Sequence, residues 1–424
     1  MRKTSLAVAL ALLAAVLGFA YLASTGRIMA AAPGHPTGKL DAFASDAELR
    51  GFLKRLRGRR QSEAPANMVA FDVAEPAMES AAPAMDRAEP AAPGITNTQE
   101  AGVDEGGIVK VRGQMLVILR RGRLFTVSLA GGGMRPIDSI DAFPPGVSGQ
   151  GDWYDEMLLA GDRVIVVGYS YARGGTEINR FRLDPAGGLR FEDSYHLRSN
   201  DYYSSRNYAS RLIGDKLIFY TPLYLGWQGD PLDALPGLSR WRGGDSPRPS
   251  FERIAPSTRI YIPPSLRGAR ESEVTTLHSV TTCDLAARVL DCSATGVLGP
   301  DSRDFYVSGE AVYLWISDSW SGRGGGSAAR AMIYRLPLED EAPSAIGARG
   351  APVDQFSFRE DPSDGMLNVL VRSEGGGDAM WRPEVSDGDI ALLRVPIGEF
   401  GDGSREASRQ HYRPMPRLPE DSWS

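Results

Sequence analysis

The chain has 424 residues, with 47 basic and 53 acidic side chains and a formal net charge of −6. That mildly acidic balance lacks the dense basic patch a nucleic-acid backbone needs as its main partner. The 48 glycines and 29 prolines suit many turns between short strands and exclude a fold of long helices.

Residues 1–27 open the chain with MRK and then the uncharged apolar run Ser5–Ser24. This reads as an export signal. It is either a signal peptide cleaved near Ala30-Ala31-Ala32 or a retained membrane anchor, because about twenty apolar residues suffice to span a bilayer. Both readings place the rest of the chain outside the cytoplasm, periplasmic or secreted, and the second makes the membrane a partner. Residues 37–62 read as a short amphipathic helix. Ser45 is the N-cap, Glu48 completes a capping box, and Leu49, Phe52, Leu53 and Leu56 form one apolar face. Its basic end, KRLRGRR, suits either a soluble helix terminus or an anionic membrane surface. Residues 63–94 repeat Ala and Pro with scattered charge, a composition that buries no core and reads as a disordered linker.

From residue 95 the pattern becomes short apolar runs broken by Gly, Asp and Pro. One unit recurs, a polar turn with Gly followed by an apolar strand: RGQMLVIL, AGDRVIVVG, IGDKLIFYT, SGEAVYLWI and SDGMLNVLV. Its glycines are Gly113, Gly161, Gly214, Gly309 and Gly365, separated by 48, 53, 95 and 56 residues. The long gap holds a Gly- and Pro-rich insertion, 226–250, expected to protrude from one face. Further strands follow within the units at 123–129, 177–183, 331–338 and 390–397. A period of about fifty with three or four antiparallel strands per unit predicts an all-β fold, a β-propeller of about five blade-like units over 95–400. Residues 401–424 read as a polar tail with no closing strand.

Cys283 and Cys292 are the two cysteines. A two-residue hairpin loop at Ala287-Arg288 would set them directly opposite each other on paired strands, within bridging range, and a disulfide staple is expected. No histidine or cysteine stands in a metal-ligand spacing; His35, His196, His278 and His411 are far apart, which argues against a structural zinc. Aromatic residues in the irregular segments form the candidate binding loops: Tyr202, Tyr203 and Arg206 in DYYSSRNYASR, Trp227 and Trp241 in the insertion, and Trp320 in SDSWSGRGGGSAAR. Exposed aromatics of this kind suit protein or glycan contact, and packed aromatics in long loops are the alternative.

The opening stretch TNTQEAGVDEGGIVKVRG carries a resemblance. Thr96, Asn97, Gln99, Gly102, Val103, Asp104, Glu105, Val109 and Lys110 fit the entry motif of a secreted bacterial β-propeller family distantly related to WD-repeat proteins. Gly106-Gly107 and Val111-Arg112 depart from it, and the departures are expected to loosen the first turn. YASRLIGDKLIFYTP (208–222) and DQFSFREDPSDGMLNVLVRS (354–373) are similar to two further family segments, so the likeness covers about residues 40 to 400. It implies an extracytoplasmic propeller with no assigned activity and no agreed catalytic residues, and none is carried over. The family's usual form has further blades, so the five units read as a complete ring or as part of a longer one. Asp104 and Glu105 read as partners for backbone donors at the entrance to the ring. A cation such as calcium is the alternative, for which two carboxylates fall short of a full oxygen cage.

No catalytic constellation is visible and no cofactor is expected. The functional expectation is a non-catalytic binding or scaffold module at the cell envelope, with an envelope protein or glycan as partner. The alternative is a secreted enzyme with a channel-centred site, a quinone- or metal-dependent oxidoreductase or a glycan-active enzyme.

Overall fold

Five sheets follow one another along the chain, each with an antiparallel core of strands. They are seen in a computed structural model that describes residues 38–63, 99–170, 175–199, 210–225, 229–244, 250–268, 274–317, 330–377 and 385–416. Blade 1 is Val109–Arg112, Met115–Arg120, Arg123–Ser128 and Arg135–Asp141. Blade 2 is Asp152–Ala160, Arg163–Ser170, Gly175–Leu183 and Leu189–Leu197; blade 3 is Ser210–Ile213, Lys216–Tyr224, Thr276–Asp284 and Asp291–Gly299. Blade 4 is Ser302–Val307, Ala311–Ser317, Arg330–Pro337 and Ser344–Arg349. Blade 5 is centred on the long hairpin Met366–Gly376 and Val385–Pro396, with Phe358–Asp361 as its first strand.

All five repeat glycines lie in the turn between the first and second strands of a blade. In blades 1 to 3 this turn has two residues, Gly113-Gln114, Gly161-Asp162 and Gly214-Asp215, flanked by the pairs Arg112–Met115, Ala160–Arg163 and Ile213–Lys216. The glycine takes a φ of 58°, 57° and 58° in turn. A tight hairpin with positive φ at its first position requires glycine there, and this is the physical basis of the repeat. Hydrophobic clusters then fill each gap between successive blades. Val117, Leu119 and Leu124 meet Val164 and Val166; Ile165 and Ile178 meet Leu217 and Phe219; Ile218 and Val280 meet Val312 and Leu314; Trp315 and Ile333 meet Val369 and Leu393.

Three segments expected to stand apart from the blades are joined to them. The helix, α1, spans Asp46–Glu63. Ser45 caps it, Glu48 N donating to Ser45 Oγ at 3.2 Å, while Glu48 Oε2 reaches one residue further back than a capping box and accepts from Ala44 N at 2.7 Å. The stripe Leu49, Phe52, Leu53 and Leu56 is buried in one cluster with Leu223, Leu235, Ile260 and Ile262. Each such side chain contributes about 1.5–3 kcal/mol of burial. Ahead of α1, Asp41–Ala42 pairs with Ile262 and Tyr261, so the arm is fastened to the outer edge of blade 3 and Lys39 onward is one unit. The insertion does not protrude where it is described. Gly237–Arg240 and Glu252–Arg253 extend the outer edge of blade 2, and Ile260–Ile262 runs parallel to the last strand of blade 3. Nor is the C-terminal stretch only a tail. Asp402–Glu406 pairs with blade 4 and Tyr412–Pro414 with blade 5. These strands read as polar because they lie at outer edges, where Ser404, Arg405 and Glu406 remain exposed.

Cys283 and Cys292 are directly paired across blade 3 and form the disulfide. The connecting loop differs from the two-residue expectation. The last paired residues are Asp284 and Asp291, leaving six residues, Leu285–Leu290, outside the ladder. Leu285 and Leu290 turn inward and join the cluster between blades 2 and 3, which breaks the pairing. Closing a loop of this length is worth about 2–3 kcal/mol. Reduction, or Cys283→Ala with Cys292→Ala, is expected to lower unfolding stability by that amount in a denaturant titration with unchanged m-value.

Candidate functional site

The entry motif runs across the first strands of every blade. Gln99 Nε2 donates to Gln355 O at 3.0 Å and Phe358 O at 3.2 Å, at blade 5. Glu100 accepts a short hydrogen bond from Tyr306 Oη of blade 4. Asp104 and Glu105 pair antiparallel with Leu212 and Arg211 of blade 3. Gly107 exchanges backbone hydrogen bonds with Met157 of blade 2, at 3.2 and 2.9 Å, and the chain then enters blade 1. Residues 99–110 therefore visit the blades in the order 5, 4, 3, 2, 1, linking all five from the side of their first strands.

Charge is arranged along this axial segment with unusual burial. Lys110 is only 1% exposed, and its Nζ donates to Asp104 Oδ1 and to Glu105 O, both at 2.6 Å. Buried Arg211 lies 3.7 Å from Glu105 and stands over the Phe305 ring at 5.5 Å; burial lowers its pKa, and Glu105 opposes that shift. Burial, and then the hydrogen bond to Glu100, push the Tyr306 hydroxyl pKa upward, so it stays protonated. The two carboxylates weighed for calcium thus face cations of the chain itself. Gly106, expected to loosen the turn, has a tighter duty: a Cβ there would lie 3.0 Å from the side chain of Glu156, which accepts from Ser210 Oγ. Thr96 and Asn97 lie outside the described residues.

In a four-stranded meander the second-to-third and the blade-to-blade connections leave from one end of the strands. The strand ends at Leu197, Ser210, Tyr224, Ser317 and Arg330 therefore fall on a single face; Tyr202, Tyr203, Arg206, Trp227 and Trp320, in the segments that follow or precede them, lie outside the described residues. Trp241 does not join that face. It lies beyond Arg240 on the outer edge of blade 2, half-buried, edge-on to Phe191 at 5.8 Å, with its indole N–H on Gly244 O at 3.0 Å. Two aromatics that sequence reasoning passed over do lie there. Trp153, at the start of blade 2's first strand, is 58% exposed, and Phe356, just ahead of blade 5's first strand, is 61% exposed. DWYDEMLLA carries no strict alternation that would have singled out Trp153, and a register shift between Tyr154 and Glu156 interrupts the strand's period.

A family model for the beta propeller domain matches residues 94–393. The chain belongs to the beta propeller domain family. No curated protein matches it. Among solved structures it is similar to a provisionally assigned 6-phosphogluconolactonase from Bacteroides fragilis, at 12% identity and a TM-score of 0.25, over 70% of this chain and 82% of that one. A second such protein, from Bacteroides uniformis, gives 12% and 0.23 over 70% and 83%. The N-terminal domain of Nup159 gives 10% and 0.22 over 69% and 73%. Likeness at this level carries nothing about activity.

Elsewhere in the propeller, polar sets are enclosed. Glu177, fully buried near the loop-face end of blade 2, accepts from Tyr154 Oη at 2.7 Å and meets His196 Nε2 at 3.0 Å. His278 is also fully buried. Its Nε2 donates to Pro300 O at 2.6 Å, so Nδ1 accepts from Tyr220 Oη at 2.7 Å. Desolvation holds its pKa down at about 3, from 6.5. The unfolded chain binds this proton below pH 6.5 and the native chain does not until about 3. Native stability is therefore whole above 6.5 and is lost as pH falls through that window, by up to about 1.4 kcal/mol per pH unit. His278→Gln is expected to remove that one-proton slope from a pH series of denaturant titrations. On the opposite face a cleft of about 700 Å³ lies between blades 3 and 4, lined by Asp215, Lys216, Asp284, Asp291 and Glu339. Lys216 Nζ is 3.0 Å from Glu339, and the other acids stand exposed.

Proposed function

We propose that this propeller is a non-catalytic binding module of the cell envelope, extracytoplasmic, which engages an envelope protein or glycan through its loop face. The observation that carries the reading is the axial segment. The chain's own residues 99–110 line the first strands of all five blades with hydrogen bonds and with the ion pairs Lys110–Asp104 and Arg211–Glu105, where a channel-centred enzyme would need its site. Support for the location comes from the uncharged run Ser5–Ser24 and from the Cys283–Cys292 disulfide, since disulfides persist in oxidising compartments. Exposed Trp153 and Phe356 supply anchors of the kind that dominate binding energy.

The test is binding of the full chain to envelope polysaccharides and to a solubilised envelope fraction, read by calorimetry and by affinity capture with identification of the partner. Trp153→Ala with Phe356→Ala is expected to weaken binding by roughly thirtyfold or more while leaving unfolding unchanged. Turnover of a glycan, or a redox cofactor that co-purifies and is reduced by a substrate, would overturn the reading in favour of the enzyme.

A further inference from the structure

α1 uses its acidic residues to hold the propeller. Asp46 accepts from Ser257 Oγ at 2.6 Å and lies 3.0 Å from Arg253, and Glu48 lies 3.1 Å from Arg267. Arg50, in return, meets Asp230 at 2.9 Å. The apolar stripe is closed into the core. What remains on the outward side is cationic. Lys54 and Arg55 are exposed, and the helix runs on past buried Leu56 to Glu63. Those further turns carry Arg57, Arg59 and Arg60. Five cations thus fall within residues 54–60, with Glu63 the one acid beyond them in the helix.

The stretch holding Lys54 and Arg55 is rigidly placed, because the helix is capped, packed and tied at the outer edge of blade 3. It is also close along the chain to the apolar run. Asp41, the first residue paired with the blade, comes 17 residues after Ser24, a stretch of at most about 60 Å. With its apolar stripe already buried, the helix has nothing to insert into hydrocarbon, so any membrane contact it makes is electrostatic.

We propose that the outward side of α1 is a docking surface for the anionic headgroups of a membrane. The inference rests on the envelope location above. Each cation near an anionic surface multiplies partitioning by about fivefold, and the attraction falls as salt shortens the Debye length.

The experiment uses the full chain with Gln61→Cys carrying a thiol-reactive dye, the two native cysteines being occupied by their disulfide. It is mixed with vesicles of phosphatidylcholine alone, or with about a third phosphatidylglycerol, each containing a trace of quencher-bearing lipid. Flotation reports attachment, and dye quenching reports approach of α1. The expected result is quenching on the anionic vesicles only, reversed in 0.5 M salt and lost in the variant with Lys54→Glu, Arg55→Glu and Arg57→Glu. Equal quenching on both vesicles, or quenching that salt leaves unchanged, would overturn the proposal. So would flotation with both kinds and quenching with neither, while leaving the anchor reading intact. Flotation with anionic vesicles alone, reversed by salt, would support the α1 contact and count against the anchor. Flotation with neither would overturn both.

Discussion

Asp193→Ala is expected to cost about 3–5 kcal/mol of stability, and Arg180→Ala about the same. Arg180, fully buried, makes a two-pronged pair with Asp193, Nε to Oδ1 and Nη2 to Oδ2, both at 2.7 Å. Its remaining N–H groups reach across to the next blade, to Ala287 O at 3.3 Å and Arg288 O at 3.0 Å, inside the disulfide hairpin loop. Tyr195 Oη completes the set, donating to Asp193 Oδ2 at 3.0 Å and accepting from Leu290 N at 3.1 Å. The group clamps blade 2 to blade 3. Loss of either partner strands a charge away from water, and that desolvation sets the size of the effect. The sign of the double substitution is diagnostic. Arg180→Met with Asp193→Leu removes both charges and leaves two loop carbonyls without donors and the Tyr195 hydroxyl without its carboxylate acceptor, all neutral groups, so it is expected to recover part of either single loss. Denaturant titration of the four chains measures this, and hydrogen exchange at residues 285–290 locates it. Single losses below about 1 kcal/mol would mean that the pair does not clamp the blades.

How far the sequence discloses this molecule depends on the range of the interaction. The blade repeat is legible because a two-residue hairpin with positive φ at its first position admits little but glycine, so Gly113, Gly161 and Gly214 report backbone geometry directly. The cysteine pairing is legible for a related reason. Positions 283 and 292 stay opposite each other whether the loop between them is short or long, and the inward turn of Leu285 and Leu290 changes only the loop. α1 is legible in its cap and its apolar stripe. Periodicity tells which face is buried but not against what, so its seat on blade 3 is not. The entry motif is the sharpest case. Gln99 finds its acceptors more than 250 residues away, and Glu100 its donor more than 200 away. No local pattern encodes such partners, and the motif reads from sequence as a turn at a threshold. Trp241 shows the opposite error, an aromatic in a Gly- and Pro-rich stretch that reads as an exposed loop yet packs on Phe191 once the insertion pairs with blade 2.

The axial segment yields the second large effect. Lys110→Met is expected to cost about 3–5 kcal/mol, since it removes the buried cation that joins Asp104 and Glu105 O and leaves the Asp104 carboxylate facing the protein interior. Asp104 is itself only 17% exposed at its side chain, so water replaces the lost partner poorly. Asp104→Asn is expected to cost less, because the amide oxygen still accepts from Lys110 while the charge interaction goes. Combined with Lys110→Met it should add little further, and the coupling energy of that cycle is expected to exceed about 1 kcal/mol. The location of the loss separates this account from an ordinary core defect. Because residues 99–110 touch every blade, weakening them is expected to raise hydrogen exchange in the first strands of blades 2 to 5 together. A defect within one blade's hydrophobic cluster would raise it there and next door. Exchange confined to blade 1, where Lys110 sits in sequence, would show that the segment is a local turn and not the element that ties the five blades into one body.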